Sequence, residues 1–314
     1  MKHKIKTTVI LTTLAVGCLH IINRCITAAS VLKNLLVKDS GKRFEWRFGN
    51  IYYTKCGTGS PLLLLHDLSP YSSSYEWNEM VRKLSKDHTV YTIDLLGCGR
   101  SDKPNITYTN FLYVQMLNDF IKNVIGQKTD VAATGLTSSF IVMACHVEAE
   151  LYNKIMMINP ESLTKLSAIP GKRAKVTKFL MDFPIIGTAV YNMIVSKNNL
   201  EYLFTEDYLY NPFKLQQKYL DTYYESAHLG ECGGKYLLSS INGFYVNANI
   251  SHALKELNHS VFLVCGKKCE DIEATVESYL ERNPAIEAEY IDKAKYLPQI
   301  ETPEELYNKM KIFF

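Results

Sequence analysis

The sequence has no histidine beyond His259, no Cys-x-x-Cys pair, no Gly-x-Gly-x-x-Gly behind a strand and almost no charge imbalance. Each absence removes a class of function. Thirty-five basic against 32 acidic residues, a net charge of +3, give no electrostatic footprint for nucleic acid. The eight cysteines are scattered, and Cys265 with Cys269 is a poor ligand set, so no metal is expected. Without a glycine-rich phosphate turn there is no call for a nicotinamide or other cofactor; Gly97-Cys98-Gly99 belongs to a loop. No internal repeat and no low-complexity linker interrupts the chain, which excludes repeat arrays. What remains is ordinary globular composition, 47% apolar and 21% charged, long enough to bury a sizeable core.

The N-terminus stands apart from the rest. Lys2, His3, Lys4 and Lys6 precede an apolar run from Thr7 to Ile22, closed by Arg24. About 16 to 20 residues suffice for a spanning helix. A signal peptide begins in the same way, and Ala15-Val16-Gly17-Cys18 resembles a loose cleavage box. Apolar sequence continues through Leu19, Ile21 and Ile22, which favours an uncleaved anchor over a cleaved signal or a buried helix. Residues 1–28 are therefore read as an N-terminal membrane anchor, single-pass, with a signal segment as the alternative. The leading lysines place the N-terminus in the cytoplasm and the globular part outside it, although Arg24, Lys33 and Lys38 pull the other way.

From Lys42 the pattern turns to strands. Phe44–Phe48 and Ile51–Thr54 flank Gly49-Asn50, a hairpin signal. Leu62-Leu63-Leu64-Leu65 reads as a central strand covered on both faces, followed by His66-Asp67 and a helix near Trp77–Leu84. Val90–Asp94 runs into Leu95-Leu96-Gly97-Cys98-Gly99-Arg100-Ser101. A helix near Tyr108–Val124 leads to Asp130–Thr134, a turn, and the apolar helix that starts at Thr137-Ser138-Ser139. Strands alternating with helices predict an α/β fold, a mostly parallel sheet flanked by helices over 42–160 and 260–314. Between 161 and 259 the rhythm stops, and a tyrosine-rich helical insertion is expected to cap the sheet's carboxyl edge. Phe204, Tyr208, Tyr210, Tyr223 and Tyr224 either line a pocket there or form the cap's own small core. Thr302-Pro303 with Glu305 spells a capping box for the last helix.

These phrases resemble the α/β-hydrolase superfamily, in its branch of capped esterases, epoxide hydrolases and dehalogenases. The carriers are His66-Asp67 (commonly His-Gly), Trp77, Asp94 to Ser101, the turn at Gly135-Leu136-Thr137-Ser138-Ser139, the Gly266 loop and Leu297-Pro298. The resemblance implies an α/β-hydrolase fold from about Trp46 to Phe314, and a triad in the order nucleophile, acid, histidine. In the frame G-x-S-x-G the nucleophile position falls on Thr137, a β-branched residue at a turn that commonly demands positive φ. The acid position falls on Cys269, with Glu270 and Asp271 as alternative carboxylates and Asn159 and Glu161 at a second acid position. The histidine position is Tyr296, whose phenol cannot serve as a base near neutrality. His66, Asp67, Leu68 and the Ser138 N–H mark the oxyanion region, where a carboxylate on Asp67 would oppose a developing anion. The expectation is a membrane-anchored pseudo-hydrolase that binds a small apolar ligand between cap and core, or a protein. The alternative is an active hydrolase of esters or related molecules whose rearranged site uses Thr137 or Ser138 with His66 or Tyr296.

Overall fold

The computed structural model describes residues 2–36 and 41–314; Lys38 lies outside them, as do the side chains of Lys2 and His3. Eight strands form one sheet: β1 (Lys42–Trp46), β2 (Gly49–Cys56), β3 (Ser60–Leu65), β4 (His88–Ile93), β5 (Thr129–Thr134), β6 (Tyr152–Ile158), β7 (Ser260–Gly266) and β8 (Glu287–Ile291). Their order is β1-β2-β4-β3-β5-β6-β7-β8, antiparallel at β1-β2 and β2-β4 and parallel thereafter. In β3, Leu63 and Leu65 enter one apolar layer and Leu62 and Leu64 the other, as expected of a strand covered on both faces.

Helices α1 (Lys2–Ser30), α2 (Asn78–Leu84), α3 (Asn110–Phe120) and α4 (Thr137–Val147) precede β6. Between β6 and β7 lie α5 (Leu163–Leu166), α6 (Lys172–Asp182), α7 (Ile186–Ile194), α8 (Lys197–Tyr202), α9 (Gln217–His228), α10 (Gly234–Asn242) and α11 (Ser251–Glu256). The chain closes with α12 (Ile272–Arg282), α13 (Pro298–Glu301) and α14 (Pro303–Phe313).

Two local expectations change. The β1–β2 turn is Arg47-Phe48, with Trp46 paired to Gly49, so Gly49-Asn50 already belongs to β2. Trp46 packs against Phe48 with Arg47 over both rings, which stabilises the earlier turn. The capping box at Thr302 does not form. A helical turn, α13, directly precedes it, and the Thr302 hydroxyl donates back to the Pro298 carbonyl at 3.3 Å.

The loop behind β4 explains its own spelling. Asp94 is buried and accepts from the Ser74 N–H, the Arg100 N–H and the Arg100 guanidinium, each at 2.8 Å. A Cβ on Gly99, φ +48°, would lie 2.3 Å from that carboxylate. Burial alone would raise the Asp94 pKa, but the Arg100 charge and these hydrogen bonds win and hold it well below the usual range. Arg100 also lies 3.9 Å from the Tyr52 ring centroid. Replacing Asp94 by alanine removes the buried acceptor of the Arg100 guanidinium and of the Ser74 and Arg100 N–H groups. Urea unfolding of Asp94→Ala is expected to show a loss of about 3–5 kcal/mol, whereas an unchanged midpoint would deny the pair this role.

Candidate active site

The turn between β5 and α4 is built on glycine. Gly135 has φ +58°, and Leu136 already has right-handed helical angles, φ −59° and ψ −32°. The left-handed apex is thus Gly135, two residues ahead of the expected Thr137. The reason is steric: a β-branched residue is an outlier at positive φ, and glycine is not. Thr137 becomes the first residue of α4, buried, its hydroxyl donating to the His66 carbonyl at 2.8 Å. The neighbouring hydroxyls are turned to the backbone as well. Ser138 Oγ donates to the Ala133 carbonyl at 3.1 Å, and Ser139 Oγ to the Leu136 carbonyl at 2.8 Å.

A nucleophile elbow builds its oxyanion hole from the N–H behind the apex and an N–H of the loop behind β3. With the apex at Gly135, the first is the Leu136 N–H rather than that of Ser138, which donates to the Gly135 carbonyl at 3.2 Å. The Leu136 N–H donates to Asp67 Oδ1 at 2.9 Å. The Tyr296 hydroxyl donates to Asp67 Oδ2 at 2.9 Å. A carboxyl group of the chain itself therefore occupies the place prepared for a substrate anion. A Cβ on Gly135 would lie 2.2 Å from the Tyr296 oxygen and 2.4 Å from Asp67 Oδ1. No side chain fits at the apex.

Burial raises the Asp67 pKa to about 6, against the lowering by Tyr296, Leu136 and Leu68. Burial, then the Asp67 and Glu161 charges, push Tyr296 well above the ordinary phenol value, so it acts as a donor and not as a base. Glu76 went unnoticed in the sequence, where it follows a serine-rich loop. It is fully buried, accepts from Tyr223 Oη at 2.8 Å and has Gln299 Nε2 at 3.4 Å. Burial first, and then the nearby Asp67 charge, raise its pKa to about 8. His66 has no free ring nitrogen. Its Nδ1–H donates to the Asp67 carbonyl at 2.7 Å, and its Nε2 accepts from the Leu95 N–H at 3.0 Å. Burial lowers its pKa to about 4.

The acid position carries no carboxylate into the site. Cys269 Sγ lies 3.6 Å from Asn159 Oδ1, and burial pushes the thiol up to about 12. Glu270 and Asp271 are exposed on the outer surface. Asn159, in the left-handed region at φ +44°, ties the two loops together instead. Its Oδ1 accepts from the Gly266 N–H at 2.8 Å, and its Nδ2 donates to the Lys295 and Tyr296 carbonyls at 3.0 and 2.8 Å. Glu161 is ion-paired with Lys165. Among the described residues, no group of three or more His, Cys, Asp or Glu is arranged to hold a metal ion.

The cap's aromatic residues lie over this site. Tyr208 stacks on Tyr296 with ring centroids 5.1 Å apart, and its carbonyl accepts the Tyr296 N–H at 3.0 Å. Phe204 and Tyr223 are buried with them, and Tyr71 from the core stacks on Tyr223 at 6.1 Å. They form a joint core between cap and sheet rather than a core of the cap alone; Tyr210 is exposed and Tyr224 partly buried.

The two carboxyls bind protons more tightly folded than unfolded, so the stability they contribute is full below about pH 4. It is lost as pH rises through about 6 for Asp67 and about 8 for Glu76. The Asp67→Asn/Glu76→Gln variant should therefore gain stability relative to the parent as pH rises from 4 to 8. Urea midpoints across that range check it, and a parallel course of the two proteins would contradict it.

The model of the alpha/beta hydrolase family matches residues 62–308. A 2-hydroxy-6-oxo-6-(2'-aminophenyl)hexa-2,4-dienoic acid hydrolase of Metapseudomonas resinovorans is 30% identical over 119 residues, 35% of this chain and 39% of that protein. The match thus spans about two fifths of that curated relative's length. Among solved structures, a serine hydrolase involved in carbazole degradation superposes with a TM-score of 0.71 at 17% identity, over 87% of this chain and 97% of that one. An epoxide hydrolase gives the same TM-score at 18% identity, over 88% and 98%. These structural likenesses bear on fold alone. With the family model running from β3 through the elbow to α14, the chain belongs to the alpha/beta hydrolase family.

Proposed function

We propose that this protein is a membrane-anchored family member that no longer hydrolyses through a triad and acts as a binding protein. One observation carries the reading: the Asp67 carboxyl group sits on the Leu136 N–H behind the apex, where a reacting carbonyl oxygen would have to bind. The apex residue is Gly135, which has no nucleophilic atom, and Tyr296 holds the plug in place. An active site rearranged around Thr137 or Ser138 finds no base, because both His66 nitrogens and both hydroxyls are already engaged. A small apolar ligand would have to displace the Tyr208–Tyr296 stack, so the packing favours recognition on the surface of cap and core.

The full chain in detergent or nanodiscs is expected to hydrolyse no p-nitrophenyl ester and to take no fluorophosphonate label. A Gly135→Ser, Asp67→Gly, Tyr296→His, Cys269→Asp variant restores nucleophile, open hole, base and acid together and is expected to label. Turnover by the parent that Thr137→Ala abolishes would overturn the proposal.

The anchor is α1. Its apolar portion is exposed along the whole span and long enough to cross a bilayer, about 27 Å for 18 residues. By the lysines ahead of it, the N-terminus is cytoplasmic and the globular part lies across the membrane. Asn105-Ile106-Thr107, Asn249-Ile250-Ser251 and Asn258-His259-Ser260 are acceptor sequences with exposed asparagines. Translation into microsomes should therefore yield glycosylated protein whose mobility shifts on endoglycosidase treatment. An unglycosylated, protease-accessible globular part would reverse the orientation.

A further inference from the structure

Most of the described part of α1 is exposed, and its hydrogen bonds to the cap run from Asn23 onward. Asn23 Nδ2 donates to the Ile185 carbonyl at 2.9 Å, and Asn192 Nδ2 donates to Asn23 Oδ1 at 3.1 Å. Arg24 pairs with Glu231 at 3.1 Å, and Thr27 Oγ1 lies 3.0 Å from Cys232 Sγ. The end of the apolar run is therefore fixed to the start of α7, and a bilayer crossed by α1 would have its surface at that level.

At that level the cap exposes apolar side chains in helical register. On α6 they are Val176, Phe179 and Leu180; on α7 they are Ile186, Val190 and Met193, with Phe183 at the turn between. The opposite side of the pair is packed inward through Met181, Gly187, Tyr191 and Val195. α6 meets the helical stretch Ile186–Tyr208, whose first part is α7, at 100°, and with 11 residues α6 is too short to span a bilayer alone. Lys172, Arg173 and Lys175 are exposed on the first turns of α6. The pair's one acidic residue, Asp182, is bound to Lys178 at 2.7 Å. Exposed aromatic and aliphatic side chains flanked by exposed bases are the composition of a helix lying in a lipid headgroup layer.

We infer that the α6–α7 face of the cap rests in the headgroup layer of the bilayer that α1 crosses, Phe179, Phe183 and Met193 entering it and Lys172, Arg173 and Lys175 meeting lipid phosphates. This rests on the anchor reading and adds a second membrane contact to it. The cap would then be held on the bilayer, immobilising the element whose Tyr208 covers the site. The insertion would reach about 5–10 Å, the depth of interfacial helices.

The test uses the full chain in bilayers containing anionic lipid, with one tryptophan at a time added at an exposed position and the parent's emission, from Trp46 and Trp77, subtracted. Phe179→Trp and Met193→Trp probe the face, Leu14→Trp probes the span, and Phe111→Trp on α3 is the control. Emission at 179 and 193 should be lost to lipids brominated near the headgroup, that at 14 to lipids brominated near the chain end, and that at 111 to neither. Quenching at 14 with none at 179 and 193 overturns the docking face and leaves the anchor standing. No quenching at 14 overturns the anchor and the inference with it. Unquenched 193 joined to efficient Met193→Cys cross-linking between chains assigns the face to a second copy and overturns the lipid contact.

Discussion

The contact on which the site depends is the Asp67 carboxyl group held by the Leu136 N–H and by the Tyr296 hydroxyl. An oxyanion hole is a strong acceptor site because its donors are fixed before any substrate arrives. Here the Leu136 donor is satisfied from within the chain. Once the hole holds a carboxyl group, the apex cannot carry a side chain, since a Cβ at Gly135 would fall among the same oxygen atoms. Tyr296, where the resemblance leads one to expect an imidazole, is the right length to complete the arrangement as a donor.

The constraint propagates outward. Tyr296 is stacked under Tyr208, whose carbonyl also accepts from Tyr296 and Leu297 backbone N–H groups, so the plug and the cap are one packing unit. Glu76 lies beneath, hydrogen-bonded to Tyr223 of the cap, and its raised pKa keeps it protonated near neutrality. A buried neutral acid costs far less than a buried carboxylate beside Asp67. The space between cap and core is filled here by tyrosine rings and two protein carboxyl groups.

Much of the frame was legible in the residues. Leu62–Leu65 reads as a central strand because it is apolar on both faces, and Asp94 to Ser101 reads as a tight loop because Gly97 and Gly99 must turn left-handed there. The missing imidazole at Tyr296 was legible as well. The position of the elbow apex was not. Gly-x-Thr-x-Ser can be laid onto the motif with threonine at the nucleophile, but the motif's letters do not set the frame; the residue able to take positive φ does, and that is Gly135. Glu76 was hidden because a glutamate behind a run of serines looks solvated, and only the arrival of Tyr223 and Gln299 from distant segments shows it buried. The hairpin turn and the capping box failed for a related reason, since Trp46, Phe48 and α13 offered contacts that local spelling does not record.

On the proposed reading, a kept fold without triad chemistry, stability rather than turnover is the property in which the site can be measured most directly. The central claim is that Gly135, Asp67 and Tyr296 compete for one volume. A mutant cycle tests it: the cost of Gly135→Ala in the parent against its cost in an Asp67→Gly/Tyr296→Phe background, read from unfolding midpoints. In the parent the added Cβ meets both oxygens and a left-handed backbone; in the background only the backbone strain remains, a cost of order 1–3 kcal/mol. The account predicts a coupling of about 0.5–3 kcal/mol between the two changes. Strict additivity would contradict it.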